Sequence, residues 1–215
     1  PVTVGDAAVF RFGYFDCFSA AELHTFLHWQ QQGATLLNPA QFILDSKTIM
    51  AALQLPQVRQ RIMIENTTAL PLLDQTLPET ILLTPDTAPR ILADKEGWVV
   101  KFAGYDQGQQ AWGGRSLQIG AQHTAASWQT TLTQYVALPW PVVAQRLMAS
   151  VQVDMAYLDA QSQTQWLRNG HTRLRVFFLR NTDQAVAAGA HLTVSGGTPQ
   201  VSEATDAVQA PVMFM

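Results

Sequence analysis

Trp98-Val99-Val100-Lys101-Phe102, the polar stretch Ala103 to Gly114 with its Gly113-Gly114 pair, and the returning Arg115-Ser116-Leu117-Gln118-Ile119 form the segment that decides this chain's reading. Apolar, β-favouring residues bounded by Gly97 and by a glycine-bearing polar run predict two strands joined by a loop. A lysine closing an apolar strand beside such a loop can hold a triphosphate, because backbone N–H groups line the oxygens and the ammonium offsets their charge. Lys101 can also be a plain surface lysine; the glycine loop next to it turns the reading toward phosphate. Downstream, Ser127-Trp128-Gln129 starts a helix lasting to about Tyr135, and Pro141 to Gln145 reads as another strand. The run Val142-Val143-Ala144-Gln145-Arg146-Leu147 can receive a purine edge through backbone carbonyl and amide groups, asking of its side chains little beyond apolar walls.

Working outward, Ala8 to Phe12 reads as a short strand. Ser19-Ala20-Ala21-Glu22 carries the serine and glutamate of a capping box. Leu23, Phe26 and Leu27 continue that helix at helical spacing until Gly33. Thr35-Leu36-Leu37 predicts a strand ending at Asn38-Pro39, and Asp45 or Ser46 can cap a helix from Lys47 to Leu53 that Pro56 stops. Four prolines between Gln57 and Arg90 predict short elements joined by turns. In the last third, Val151, Val153, Met155 and Tyr157 alternate as in a half-buried strand, with Gln165-Trp166-Leu167 pairing back across Asp159 to Gln163. Thr172 to Arg180 and Val186 to Val194 predict two more strands before Gly196-Gly197. The sum is an α+β chain: strand–helix units first, an antiparallel sheet later.

Composition narrows the function classes. The 215 residues are 47% hydrophobic, enough for a core without staples. With 13 Lys+Arg against 16 Asp+Glu the net charge is -3, which argues against a nucleic-acid surface. The lone Cys17 excludes an internal disulfide and suits a reducing compartment, so the expected location is cytoplasmic. The apolar runs are shorter than a membrane helix needs, and residues 1–8 lack the pattern of a secretory signal. Charged residues are 13% of the chain, against roughly 25% in typical domains, which points to a partner domain or a homo-oligomer covering part of the surface.

The order lysine strand, glycine loop, helix with Trp128, and Pro141-Val142-Val143-Ala144-Gln145 resembles the ATP-grasp core. Val9-Phe10-Arg11, Leu36-Leu37-Asn38-Pro39 and Leu44-Asp45-Ser46-Lys47-Thr48-Ile49 are similar to the segment preceding that core in the circularly permuted, glutathionylspermidine-synthase-like branch. Thr172-Arg173-Leu174-Arg175-Val176-Phe177-Phe178 and Gly189 to Gly197 are similar to its closing strands. The resemblance spans most of residues 9 to 208. It implies an ATP-grasp-like α+β fold of two lobes with antiparallel sheets, flanking helices and an ATP cleft between them. The parts would be an N-terminal lobe over 1–96, a nucleotide-gripping subdomain over 97–150 and completing strands over 151–215.

The resemblance further implies a ligase joining a small carboxylate or peptide to an amine or thiol through an acyl phosphate, with ATP and Mg2+. Lys47, Lys101, Gly113, Gly114, Arg115, Gln145, Arg146 and Leu147 would bind nucleotide, and Arg175 would lie near phosphate. This sequence has Arg146 where the family usually has an acidic residue. The branch's magnesium ligands lie upstream of the segment matched by Val9 to Arg11, which leaves the metal site unassigned, with Glu203 and Asp206 either ligands or a polar turn. The rival expectation is a catalytically degenerate ATP-grasp-like binding or scaffolding subunit. Outside the resemblance, His24 and His28 are helix-surface or packing residues, and Cys17 reads as a small buried hydrophobe.

Overall fold

The computed structural model describes residues 8–10, 17–37, 43, 46–104, 116–181, 184–197 and 207–212. The fold is mixed α+β and divides into two compact units, Pro1–Leu147 and Met148–Met215.

In the first unit, β1 (Ala8–Val9) pairs in parallel with β2 (Thr35–Leu36), and α1 (Ala20–Gln31) lies between them in sequence. The Ser19 side chain accepts from Glu22 N while the Glu22 carboxylate accepts from Ser19 N, the reciprocal capping box anticipated at this end. At the other end Gly33 takes φ +99°, a backbone state that costs a side-chain-bearing residue. The half-buried stripe of α1 is Leu23, Phe26 and Trp29, and Leu27 is 47% exposed rather than on the inner face. Phe26 holds this register by meeting both Phe18 and Trp29 edge-on. Cys17, expected buried, is exposed, because it stands in the turn leading into a helix without a single buried residue.

The second sheet of this unit is antiparallel with strand order β3 (Thr80–Leu82), β6 (Val142–Arg146), β4 (Trp98–Phe102), β5 (Gln118–Ile119). Strand alternation sends Trp98, Val100 and Phe102 of β4 and Val142 and Ala144 of β6 to one face. There they pack with Leu83, Ile91 of α5 (Ala88–Ala93), and Trp128 and Leu132 of α6 (Ala125–Val136). Trp98, Val100, Ile91 and Trp128 are wholly inaccessible. Burial of each such side chain is worth about 1.5–3 kcal/mol before entropy is counted. The opposite face carries Val143 and Ala103 against Ala51 of α2 (Thr48–Ala52).

Between α2 and β3 the chain forms α3 (Pro56–Glu65) and α4 (Ala69–Thr76). Pro56 follows α2 as expected, but it also begins α3, since a first-turn proline has no amide to lose.

The second unit is a four-stranded antiparallel sheet in the order β10 (Ala207–Val212), β9 (Gln184–Ser195), β8 (Thr164–Asn181), β7 (Gln152–Leu158). Along β7, Val153, Met155 and Tyr157 are half-buried and alternate with exposed residues. The hairpin turn is built on Asp159, whose carboxylate accepts from Gln161 N and Gln163 N, with Ser162 at φ 60°. The two segments read from sequence as separate strands are one strand, β8, carried through a β-bulge opposite Asp154. There Asn169 takes φ 50° and its N–H donates to the Asp154 carboxylate at 2.9 Å, while Arg168 donates to the same group at 2.7 Å. Gly170 follows, where a Cβ would overlap Leu167 and Val194.

Candidate functional site

The site forms on the α2-facing side of the β3–β6–β4–β5 sheet. Lys101 pairs in register with Val143, and Gln145 pairs with Val99, so Lys101 and Gln145 are diagonal neighbours on one face. The Lys101 ammonium donates to Gln145 Oε1 at 2.5 Å. Gln145 Nε2 donates to Thr80 Oγ1 at 2.9 Å and approaches Met50 Sδ of α2 at 3.4 Å. Thr80, on β3 opposite Gln145, is fully buried, and its hydroxyl donates to Pro78 O at 2.8 Å. The same carbonyl accepts from Gln54 Nε2, whose own Oε1 accepts from Thr80 N.

Ser46 brings Lys47 to this face. Its buried hydroxyl donates to Ala103 O at 2.6 Å and accepts from Thr48 N and Thr48 Oγ1, fastening the start of α2 to the end of β4. Lys47 thereby stands close enough to act electrostatically on Lys101. The Lys101 pKa is lowered first by burial and then by the Lys47 charge, both of which disfavour a second ammonium.

The segment 105–115, and with it Gly113, Gly114 and Arg115, lies outside the described residues. Its flanks are fixed: Ala103 O is held by Ser46, and Ser116 O accepts from the Tyr135 hydroxyl of α6 at 3.0 Å. Burial pushes the Tyr135 hydroxyl pKa up, which keeps it a donor there.

The hinge residues divide. Gln145 faces Lys101, but the Arg146 side chain emerges on the opposite face, its guanidinium 4.3 Å from the Trp98 ring centroid. It forms ion pairs with Asp94 and with Glu79, which raise its pKa in that order. Arg146 N donates to Glu79 O and Leu147 N to Gly97 O, at 2.8 and 2.9 Å. Both amides expected to meet a purine are thus engaged within the protein, because β6 is an interior strand flanked by β3 and β4. Sequence reasoning could not see this, since the sheet order is a tertiary fact.

Arg175 stands on β8 of the second unit, opposite His191 on β9, with Arg173 two residues away opposite Thr193. Glu203 and Asp206 lie outside the described residues. His24 is exposed on α1, and His28 there meets Gln32 at 3.0 Å. Among the described residues no three His, Cys, Asp or Glu side chains gather as a metal site, and no helix is long and apolar enough to cross a membrane.

The residues missed by sequence reasoning are Thr80, Gln54 and Ser46 in its clamping role. The one local signal was a threonine heading the apolar run Ile81-Leu82-Leu83. Comparison of the chain with protein-family models gives no match, and comparison with curated proteins gives none either. The class that fold and geometry define is therefore an α+β protein of two units, the first carrying Lys101 on a sheet face within the electrostatic reach of Lys47.

Proposed function

We propose that this chain is an ATP-grasp-like domain of an ATP-dependent ligase that joins a carboxylate to an amine or thiol. One observation carries the reading: Lys101 is held on a partly buried sheet face by Gln145, with a second cation, Lys47, acting on it. Burial and a neighbouring positive charge both disfavour the Lys101 ammonium, and a polyphosphate oxygen beside it offsets both. Lys101 is held by its strand and by Gln145 before ligand arrives, and the Ser46 clamp anchors the backbone that bears Lys47.

In this reading ATP supplies the phosphoryl group that activates the carboxylate. Lys101 and Lys47 bind and orient the phosphate oxygens. The described residues offer no carboxylate cluster for magnesium, so no step is assigned to the metal.

The engaged amides of Arg146 and Leu147 favour the second reading, a degenerate ATP-grasp-like subunit that binds or scaffolds without catalysis. Calorimetric titration with ATP, with and without Mg2+, tests both. The ligase reading expects saturable binding lost in Lys101→Met, and phosphate release when carboxylate and amine or thiol pairs are screened. Absence of ATP binding, or binding without turnover, defeats the ligase and favours the scaffold; turnover defeats the scaffold.

A further inference from the structure

A chain of polar side chains runs beneath Lys101. A side-chain amide is two-ended, with one oxygen that accepts and one nitrogen that donates, and its orientation follows from its neighbours. Gln145 has an ammonium on one side, which only donates. On the other side is Thr80 Oγ1, whose single proton is directed to Pro78 O, a group that only accepts. The sequence of polarity is therefore forced: Lys101 Nζ to Gln145 Oε1, Gln145 Nε2 to Thr80 Oγ1, Thr80 Oγ1 to Pro78 O. Met50 Sδ is also an acceptor and supports the same orientation. Gln54 holds the Pro78–Thr80 corner from both its amide atoms. Gln145 and Thr80 are 7% and 0% exposed, so water does not readily substitute for either partner.

We propose that Thr80 is a positioning residue for Lys101: its hydroxyl, committed to Pro78 O, fixes the Gln145 amide with the oxygen toward the Lys101 ammonium. Without the hydroxyl, Gln145 Nε2 keeps only the weaker contact with Met50 Sδ, and an amide that turns an N–H toward Lys101 makes the ammonium prefer to lose its proton. The assignment rests on the proposed nucleotide role of Lys101 for its consequence, but not for its geometry.

The test measures Lys101 in the full chain without nucleotide. The rate of its acylation by a water-soluble succinimidyl ester, followed by peptide mass mapping across pH, gives its titration midpoint. Thr80→Val lowers that midpoint by about one pH unit, equivalent to a roughly tenfold loss of proton affinity. Thr80→Ser restores the hydroxyl and behaves as the wild type. In a Gln145→Glu background, where either end offers an oxygen, Thr80→Val shifts nothing further. An unchanged midpoint in Thr80→Val, or a shift as large in Thr80→Ser, overturns the proposal.

If Thr80→Val proves unfolded by circular dichroism, Gln145→Met reads the same link from the other end, and an unchanged Lys101 midpoint there overturns it. ATP titrations run alongside: a wild type that binds no ATP removes the proposed function, while the nucleotide-free titration still decides the role of Thr80.

Discussion

The two large sheets of this protein are four-stranded and antiparallel, yet they are stabilised differently. The β3–β6–β4–β5 sheet has short strands and a dense apolar core, with Trp98, Val100, Phe102, Val142 and Ala144 sealed under α5 and α6. The β10–β9–β8–β7 sheet has much longer strands, and among its described residues the buried hydrophobic side chains are Ala190 and Val194. Trp166, Leu174, Phe177, Phe178 and Leu179 of β8 are all about half exposed or more. This sheet rests on long backbone ladders, with register shifts at Val153/Met155 and Phe177/Phe178, and on the side chains of Asp154 at the bulge and Asp159 at the turn. A strand ladder can thus be long while much of it stays exposed, and it is the first sheet that buries the surroundings of Lys101.

The contrast is sharpest for tryptophan. Trp98→Ala is expected to cost about 3–5 kcal/mol in denaturant unfolding, whereas Trp166→Ala should stay within about 0.5 kcal/mol. Comparable losses at the two positions would break the comparison. Next in size is Gly170→Ala, where the new methyl has to displace Leu167 and Val194; a loss of about 1–3 kcal/mol follows from overpacking, read from the same transition.

Lys101→Met should abolish ATP binding, and because it leaves the buried Gln145 Oε1 without its donor it gives no gain in stability beyond relief of the disfavoured ammonium. The pH dependence follows from the lowered pKa: the unfolded chain binds the proton more tightly. Wild-type stability therefore rises relative to the variant as pH climbs through the Lys101 value toward the ordinary lysine value. Thermal melts of both proteins over that range check it. ATP affinity runs the other way, falling as the Lys101 ammonium is lost.

The smallest effect belongs to Asp154, whose pKa is lowered chiefly by the Asn169 N–H and then by Arg168. A depressed carboxylate contributes stability above its ordinary value and loses it as pH falls through the depressed one. The Asn169 amide resonance should follow that acid titration, read from amide spectra across pH.

Much of the local structure was legible. The capping box of Ser19 and Glu22 fixed the start of α1, Gly33 its end, and the apolar run 98–102 its strand, since each signal acts within a few residues. Period-two alternation located β7 for the same reason. Depth was less legible: Leu27 and Cys17 are apolar or small but exposed, because burial depends on what lies opposite. Lys101 and Gln145 could be picked as site residues from strand ends and loop composition, but their hydrogen bond spans 44 residues and needs the register of β4 with β6.

By itself, then, the sequence determined where strands and helices begin, which residues alternate, and that a lysine closes an apolar strand. Only the tertiary structure decided that β6 is interior, so that the Arg146 and Leu147 amides are engaged and the Arg146 side chain turns away from Lys101. It alone set Thr80 beneath Gln145, 65 residues distant in the chain. Local preferences arise from dihedral angles and neighbouring side chains, while sheet order and register come from the burial of Trp98 and its partners, to which every distant segment contributes at once.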